Sequence, residues 1–259
     1  MKKIVLIMLL GLLAVTGYSQ RFIGSVIGGA NISQVEGDDV RGYRKAGFVG
    51  GASVMIALDK EMSWFTTVEL LYTQKGARSG GTRAFDTTNY ARVMFEDVDR
   101  SAPFHGSAKY KCRIDLDYVE VPVLFHYEDR NTGCAFGLGF SWSRLVRASE
   151  WYNGLKRTTS LSTGPYNKND WNILADVKVM LYKGLKLEFR FQYSLVPIRD
   201  FTITYSNNAQ PTEYKKQYNN MFSVRLVYSF KEKYTENTRM NKRGERQGVK
   251  WIRETNTYE

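Results

Sequence analysis

LKLEFRFQYSL, from Leu185 to Leu195, decides the fold. Leu185, Leu187, Phe189, Phe191, Tyr193 and Leu195 share one side of an extended strand, and Lys186, Glu188, Arg190, Gln192 and Ser194 share the other. A strand over a soluble core usually keeps this alternation for about four or five residues. A run this long suits a tilted strand crossing a bilayer in a closed barrel, which takes about nine to eleven residues and tolerates a polar inner wall.

The same pattern recurs along the chain. Further strands are expected at Phe22–Ile32, Ala46–Leu58, Met62–Gln74 and Cys112–Tyr127, then around Phe136–Trp142, Trp171–Leu181 and Phe222–Phe230. Pro122 is awkward in its strand, because it cannot donate to a ladder and a barrel has no free edge; a local bulge is expected there. Small residues, Gly137, Gly139, Ser141 and Ser143, alternate with Phe136, Leu138, Phe140 and Trp142, leaving room for long side chains opposite. The connections alternate in length. Short turns at Asp59–Glu61, Glu128–Thr132 and Tyr182–Gly184 fall between longer segments at Ser33–Lys45, Lys75–Lys111, Ser149–Asn169 and Asp200–Lys216. Started from the periplasm, the path puts every short turn in the periplasm and every long loop at the cell surface, as outer-membrane barrels do. Aromatic residues support the same reading: Trp64, Phe125, Tyr127 and Phe136 map to one rim, and Tyr72, Trp142 and Trp171 to the other.

The chain begins MKKIVLIMLLGLLAVTGYS. Two lysines, a short apolar run and small residues make residues 1–19 a signal peptide, too short to span a bilayer as a helix. The chain is 14% aromatic with 17 tyrosines, yet its mean hydropathy is −0.39. That combination fits alternating strands and excludes a helical membrane protein. The formal charge is +11, and Lys2 and Lys3 leave with the signal peptide. On an exported protein the remaining excess favours anionic lipid headgroups or acidic partners, with no argument for nucleic acid. The strand map puts Cys112 and Cys134 at opposite ends of the wall, so two free thiols are expected although export permits a bridge.

The fold expected is all-β: an eight-stranded antiparallel transmembrane β-barrel at 20–230 with a periplasmic extension at 231–259. Its inward face decides what the barrel can do. The inner set holds Glu69, Glu120, Asp176 and Glu188 against Lys178, Lys186, Arg190 and Arg225. Facing lipid, each basic residue would cost roughly 2–4 kcal/mol near the midplane, so these charges are expected to point inward, pair and close the lumen. The bland reading is that the network only supports the wall; a proton or ion path is the alternative. The extension carries more basic residues than glutamates, and it reads either as a solvated tail or as a docking peptide using Lys242, Arg243, Arg246, Lys250 and Trp251. His105 and His126 are the only histidines, with no Ser/His/Asp or metal-ligand spacing around them, so no catalytic residue, metal or cofactor is assigned.

Three segments carry a family resemblance: GANISQVEGDDVRGYRKAGFVGG at Gly29–Gly51, YVEVPVLFHY at Tyr118–Tyr127, and the aromatic-ended last strand at Phe230. Together they resemble the PorT-type outer-membrane barrels of Bacteroidota over nearly the whole barrel but not the tail. The resemblance implies a role in an envelope machine such as type IX protein secretion, and the basic extension departs from the usual ending. The function expected is a non-enzymatic barrel subunit contacting outer-membrane lipid and other outer-membrane or periplasmic proteins. A small outer-membrane enzyme, a narrow channel and a surface adhesin are the alternatives.

Overall fold

The structure, a computed structural model, describes residues 22–37, 42–59, 63–78, 112–129, 132–152, 155–162, 164–203, 213–230, 234–240 and 246–253. Its strands in chain order are β1 (Phe22–Glu36), β2 (Lys45–Ala57), β3 (Trp64–Arg78), β4 (Cys112–Asp129), β5 (Cys134–Tyr152), β6 (Leu155–Thr158), β7 (Asn169–Tyr182), β8 (Leu185–Ser194), β9 (Arg199–Ile203), β10 (Glu213–Ser229), β11 (Tyr234–Met240) and β12 (Arg246–Arg253). Eight of them, β1, β2, β3, β4, β5, β7, β8 and β10, pair antiparallel with their neighbours, and β1 pairs with β10 to close the wall. Closure removes every sheet edge from lipid, where an unpaired backbone group has no water to turn to.

Stagger fixes the shape. Residue partners traced once round the wall, from Ile23 through Met55, Thr67, Leu124, Gly139, Leu174, Gln192 and Met221, return to β1 at Ser33, ten residues further along. Eight strands with that stagger tilt by about 40° and leave a lumen only wide enough for side chains. β3 begins just after Ser63, β5 just after Gly133 and β8 just after Gly184, all at the end where β1 starts and where the Phe230 amide donates to the Gly24 carbonyl at 2.8 Å. Gly184 takes a positive φ of 72° in its turn, a conformation that side chains resist.

The strands overrun several expected limits. β3 and β5 continue to Arg78 and Tyr152, and β4 starts at Cys112 as expected but runs on to Asp129, so the wall stands well beyond the length a bilayer needs. The segments read as loops at Ser149–Asn169 and Asp200–Lys216 contain β6, which pairs with β5, and β9, which pairs with the start of β10. The alternation that reveals a strand depends on a lipid-facing apolar side, and above the bilayer that side is free to be polar.

Pro122 corrects a second expectation. No bulge forms at it: the register with β3 is the same above and below, but the ladder skips Val121 and Pro122 opposite Glu69 and Leu70. The bulge lies instead between Asp117 and Tyr118, against β5. The Cys134 thiol is free, and Cys112 heads the other end of β4 from Asp129, the partner of Cys134. In the extension, β11 and β12 form a two-stranded antiparallel sheet with an irregularity at Arg239/Met240. Arg246, Lys250 and Trp251 lie on β12, while Lys242 and Arg243 lie outside the described residues.

Outward positions form an apolar belt. Phe22, Leu70, Phe125, Phe136, Leu138, Phe140, Phe189 and Val224 are all exposed, an area no water-soluble barrel would present. Inward positions alternate with them and are buried.

Candidate functional site: the enclosed lumen

Arg190 on β8 and Glu69 on β3 stand four strands apart in either direction round the wall, so their contact spans the lumen. It is bidentate: Nη1 and Nη2 of Arg190 donate to the two Glu69 oxygens at 2.8 Å each. The same guanidinium donates to Asp176 Oδ2 at 2.8 Å and, through Nε, to Glu188 Oε1 at 3.1 Å. Arg225 reaches Glu69 at 3.4 Å and also donates to Glu188. Three carboxylates therefore share two guanidiniums. Desolvating such groups costs several kcal/mol each, and the planar Arg forks repay it because they satisfy several lone pairs at once.

Toward the short-turn end, Asp176 also holds His126, Nε2 to Oδ1 at 3.0 Å. The His126 ring stacks on Phe65 with centroids 4.8 Å apart, and Lys178 Nζ lies 6.0 Å from the centroid of the Phe65 ring. A Cβ at Gly137 would strike both His126 and Asp176, so the small face of β5 is the space this cluster fills. Lys186 pairs with Glu128 at 4.0 Å. Ile23, Met55, Phe65 and Ala135 close this end as an apolar cluster.

Toward the long-connection end the lumen alternates again. Ile27, Val49, Leu71 and Val227 form an apolar cluster beside the Arg layer. A second polar group follows. Lys75 lies 3.4 Å from Asp170 and 3.6 Å from Glu120, and Gln192 donates to Glu120 at 2.8 Å. Asn219 and Ser194 donate to Asp170, and Asn219 also donates to the Tyr118 hydroxyl. Above it sits the largest apolar cluster, Val35, Ala77, Ile114, Leu116, Tyr118, Leu145, Ala148, Tyr166 and Ile198. There the Tyr166 hydroxyl donates to Glu150 at 2.5 Å and Arg199 donates to the same oxygen at 3.0 Å. Burial, helped by the Glu150 charge, pushes the Tyr166 hydroxyl well above its ordinary range, so it stays a donor.

All eight charged residues singled out from the sequence lie buried on the inner face. The structure joins Glu69, Asp176, Glu188, Arg190 and Arg225 into one cluster. It pairs Glu120 with Lys75, which the sequence reading placed at the head of a loop, and Lys186 with Glu128, which it placed in a turn. His126 joins the lumen as a hydrogen-bonded wall residue. The signal for Lys75 was its parity with Glu69, Leu71 and Thr73, extended three residues past Tyr72, the last apolar outward position. Exposure decides what the lumen can pass: Arg225 is 1% exposed, Glu188 0% and Lys75 0%, so no water-wide passage touches these walls.

A closed eight-stranded antiparallel barrel with a lipid-facing apolar belt and ionised groups inside is an outer-membrane barrel. The chain belongs to the outer membrane protein beta-barrel domain family, whose model matches residues 18–200, and it is an outer-membrane protein. No curated protein sequence matches it. Among solved structures it is similar to Neisserial surface protein A, at 12% identity and a TM-score of 0.43 over 82% of this chain and 100% of that one. It is also similar to Ail, the attachment invasion locus protein of Yersinia pestis, at 13% identity and 0.39 over 80% and 99%. A third similar structure is OprG from Pseudomonas aeruginosa, at 11% identity and 0.40 over 81% and 95%.

Proposed function

We propose that the protein is a non-enzymatic barrel subunit of an envelope protein machine, serving type IX protein secretion or outer-membrane protein assembly through contacts rather than passage or chemistry. The observation that carries this reading is the lumen, filled by ion pairs between apolar clusters. A barrel filled in this way has nothing to transport through its centre, and what it offers other molecules are its two ends. The resemblance of Gly29–Gly51 and Tyr118–Tyr127 to PorT-type barrels points to the same class of role. In this reading the long connections face the cell surface, and the short turns, together with the extension holding β11 and β12, face the periplasm. The extension, with basic residues from Lys231 to Arg253 and Trp251 near its end, is the docking element.

Affinity purification from intact envelopes in mild detergent, with a tag inserted at residues 79–111, tests this. Partner proteins should accompany the full-length chain and fall away when it is cut after Phe230. Recovery of the barrel alone under crosslinking as well as in detergent would refute the reading.

A further inference from the structure

The outer face of the tall end carries an unexplained set of cations. Register lines up Arg78, Arg113, Trp151 and Lys156 side by side on β3, β4, β5 and β6. The three cations are exposed, and Lys156 Nζ lies over the Trp151 ring at 5.6 Å. Directly opposed side chains on adjacent strands stand about 5 Å apart at Cβ, where like charges repel. Asp115 offsets Arg113, at 2.9 Å, but is shared with Lys45 at 3.0 Å. Among the described residues no carboxylate pairs with Arg78 or Lys156.

Two more arginines lie closer to the belt. Arg147 is held by Asp117 at 2.5 Å, and Arg144 donates to Asn169 at 2.8 Å; both remain exposed. Each guanidinium is thus held by one partner while staying exposed to solvent. That arrangement suits phosphate, which Arg grips with two parallel hydrogen bonds.

Depth identifies the source of the phosphate. Tyr72 and Trp142 are exposed at the top of the belt. Arg144 lies two residues beyond Trp142, or about 5 Å of height at this tilt, while Arg78 lies six beyond Tyr72, or about 15 Å. An ordinary headgroup layer is only about 5–8 Å deep on each side. The outer cations therefore need an anionic headgroup that rises further.

We propose that this face binds the phosphorylated sugar headgroup of an outer-leaflet glycolipid. Arg144 and Arg147 meet the phosphates nearest the acyl chains, Arg78, Arg113 and Lys156 meet those further out, and the Trp151 ring offers a flat apolar surface to a sugar. The proposal rests on the orientation given above, with the long connections outside.

The test uses the full-length protein folded in zwitterionic detergent, titrated with rough-type lipopolysaccharide, the same lipid after phosphatase treatment, and inorganic phosphate. The variant is R78Q/R144Q/K156Q, which leaves the partners of Asp115 and Asp117 in place. The wild type should prefer the phosphorylated lipid by about tenfold or more, and the variant should lose about that much affinity while keeping its heat-modifiable gel mobility. Equal binding by the variant, or equal binding of treated lipid, would overturn the proposal. Inorganic phosphate binding as tightly as the lipid would also overturn it, by showing a free-anion site. Orientation is read separately, by labelling N153C in a C112S/C134S background with an impermeant maleimide on intact cells. Failure there overturns the proposal through its orientation, whatever the detergent titration shows, so the two failures are told apart.

Discussion

Arg190 is the residue whose loss the barrel should feel most. It makes contacts to Glu69, Asp176 and Glu188 from a site that is 2% exposed. Arg190→Met keeps much of the volume but leaves three carboxylates in a dry lumen with Arg225, His126 and Lys178 around them. Removing one partner of a buried ion pair costs about 3–5 kcal/mol, mostly through the charge left behind. Urea unfolding of the protein in lipid vesicles should show a loss of that size, and R190M/E69Q should recover part of it, since the two side chains act as one unit. Additive losses in the double variant would mean the cross-lumen contact does not form. The penalty also explains why the sequence pattern was so regular here: a charge on the wrong face of β8 has no solution in hydrocarbon.

Individual strands show where that regularity stops. From β2 to β10 the alternation was legible wherever one face meets lipid, and so was the order of short and long connections, while the glycine-rich β1 alternates only weakly. The end of β5 beyond Ser149 and the short strand β6 were not, because outward positions above the bilayer, such as Lys156, are exposed and carry no apolar signal. The partner of Glu120 was missed for the same reason, since Lys75 follows the last apolar position of β3. Pro122 is a different case, legible as a problem but not in its solution. The Glu128 amide, at the same parity on β4, donates toward β3 at the Ser63 carbonyl, so the donor missing at Pro122 would have faced Glu69. Pro122→Val should restore one ladder bond and stabilise the barrel by about 0.5–1.5 kcal/mol, read as a higher urea midpoint; an unchanged or lower midpoint would mean the wall gains nothing from closing that gap. At the top of β4, burial pushes the Asp115 carboxyl up, but hydrogen bonds from Arg113 and Lys45 outweigh it and hold the group below its usual range. A carboxyl lowered on folding stabilises above its unfolded pKa of about 4 and loses that contribution as pH falls below it. Amide exchange at Cys112–Asp117 should therefore accelerate on acidification below about pH 4 in the wild type, beyond the intrinsic rate. Asp115→Asn, which has no such proton to gain, should already exchange faster at neutral pH and respond less to acid; parallel responses would assign the protection to other groups.

Taken as a whole, the molecule stacks apolar and charged layers along one axis, and no single layer seals it. The Glu69–Arg190 cluster fills the lumen between Ile23, Met55 and Phe65 on one side and Val49 and Leu71 on the other; Lys75 and Asp170 follow, and the Leu116–Ile198 cluster closes the far end. An ion crossing would have to shed water at each apolar layer and break pairs at each charged one, and either step costs several kcal/mol. Redundant barriers in series make a specific prediction. Wild-type protein in planar bilayers should show no conductance steps, and E69A/R190A, which hollows out only the middle, should remain silent because the end clusters still exclude water. Steps should appear only when an end is opened too, as in E69A/R190A combined with Leu116→Ala and Tyr118→Ala. Conductance in the wild type would show that the ion pairs exchange partners to let ions through, and conductance in the double variant would show that the charged layer alone is the barrier.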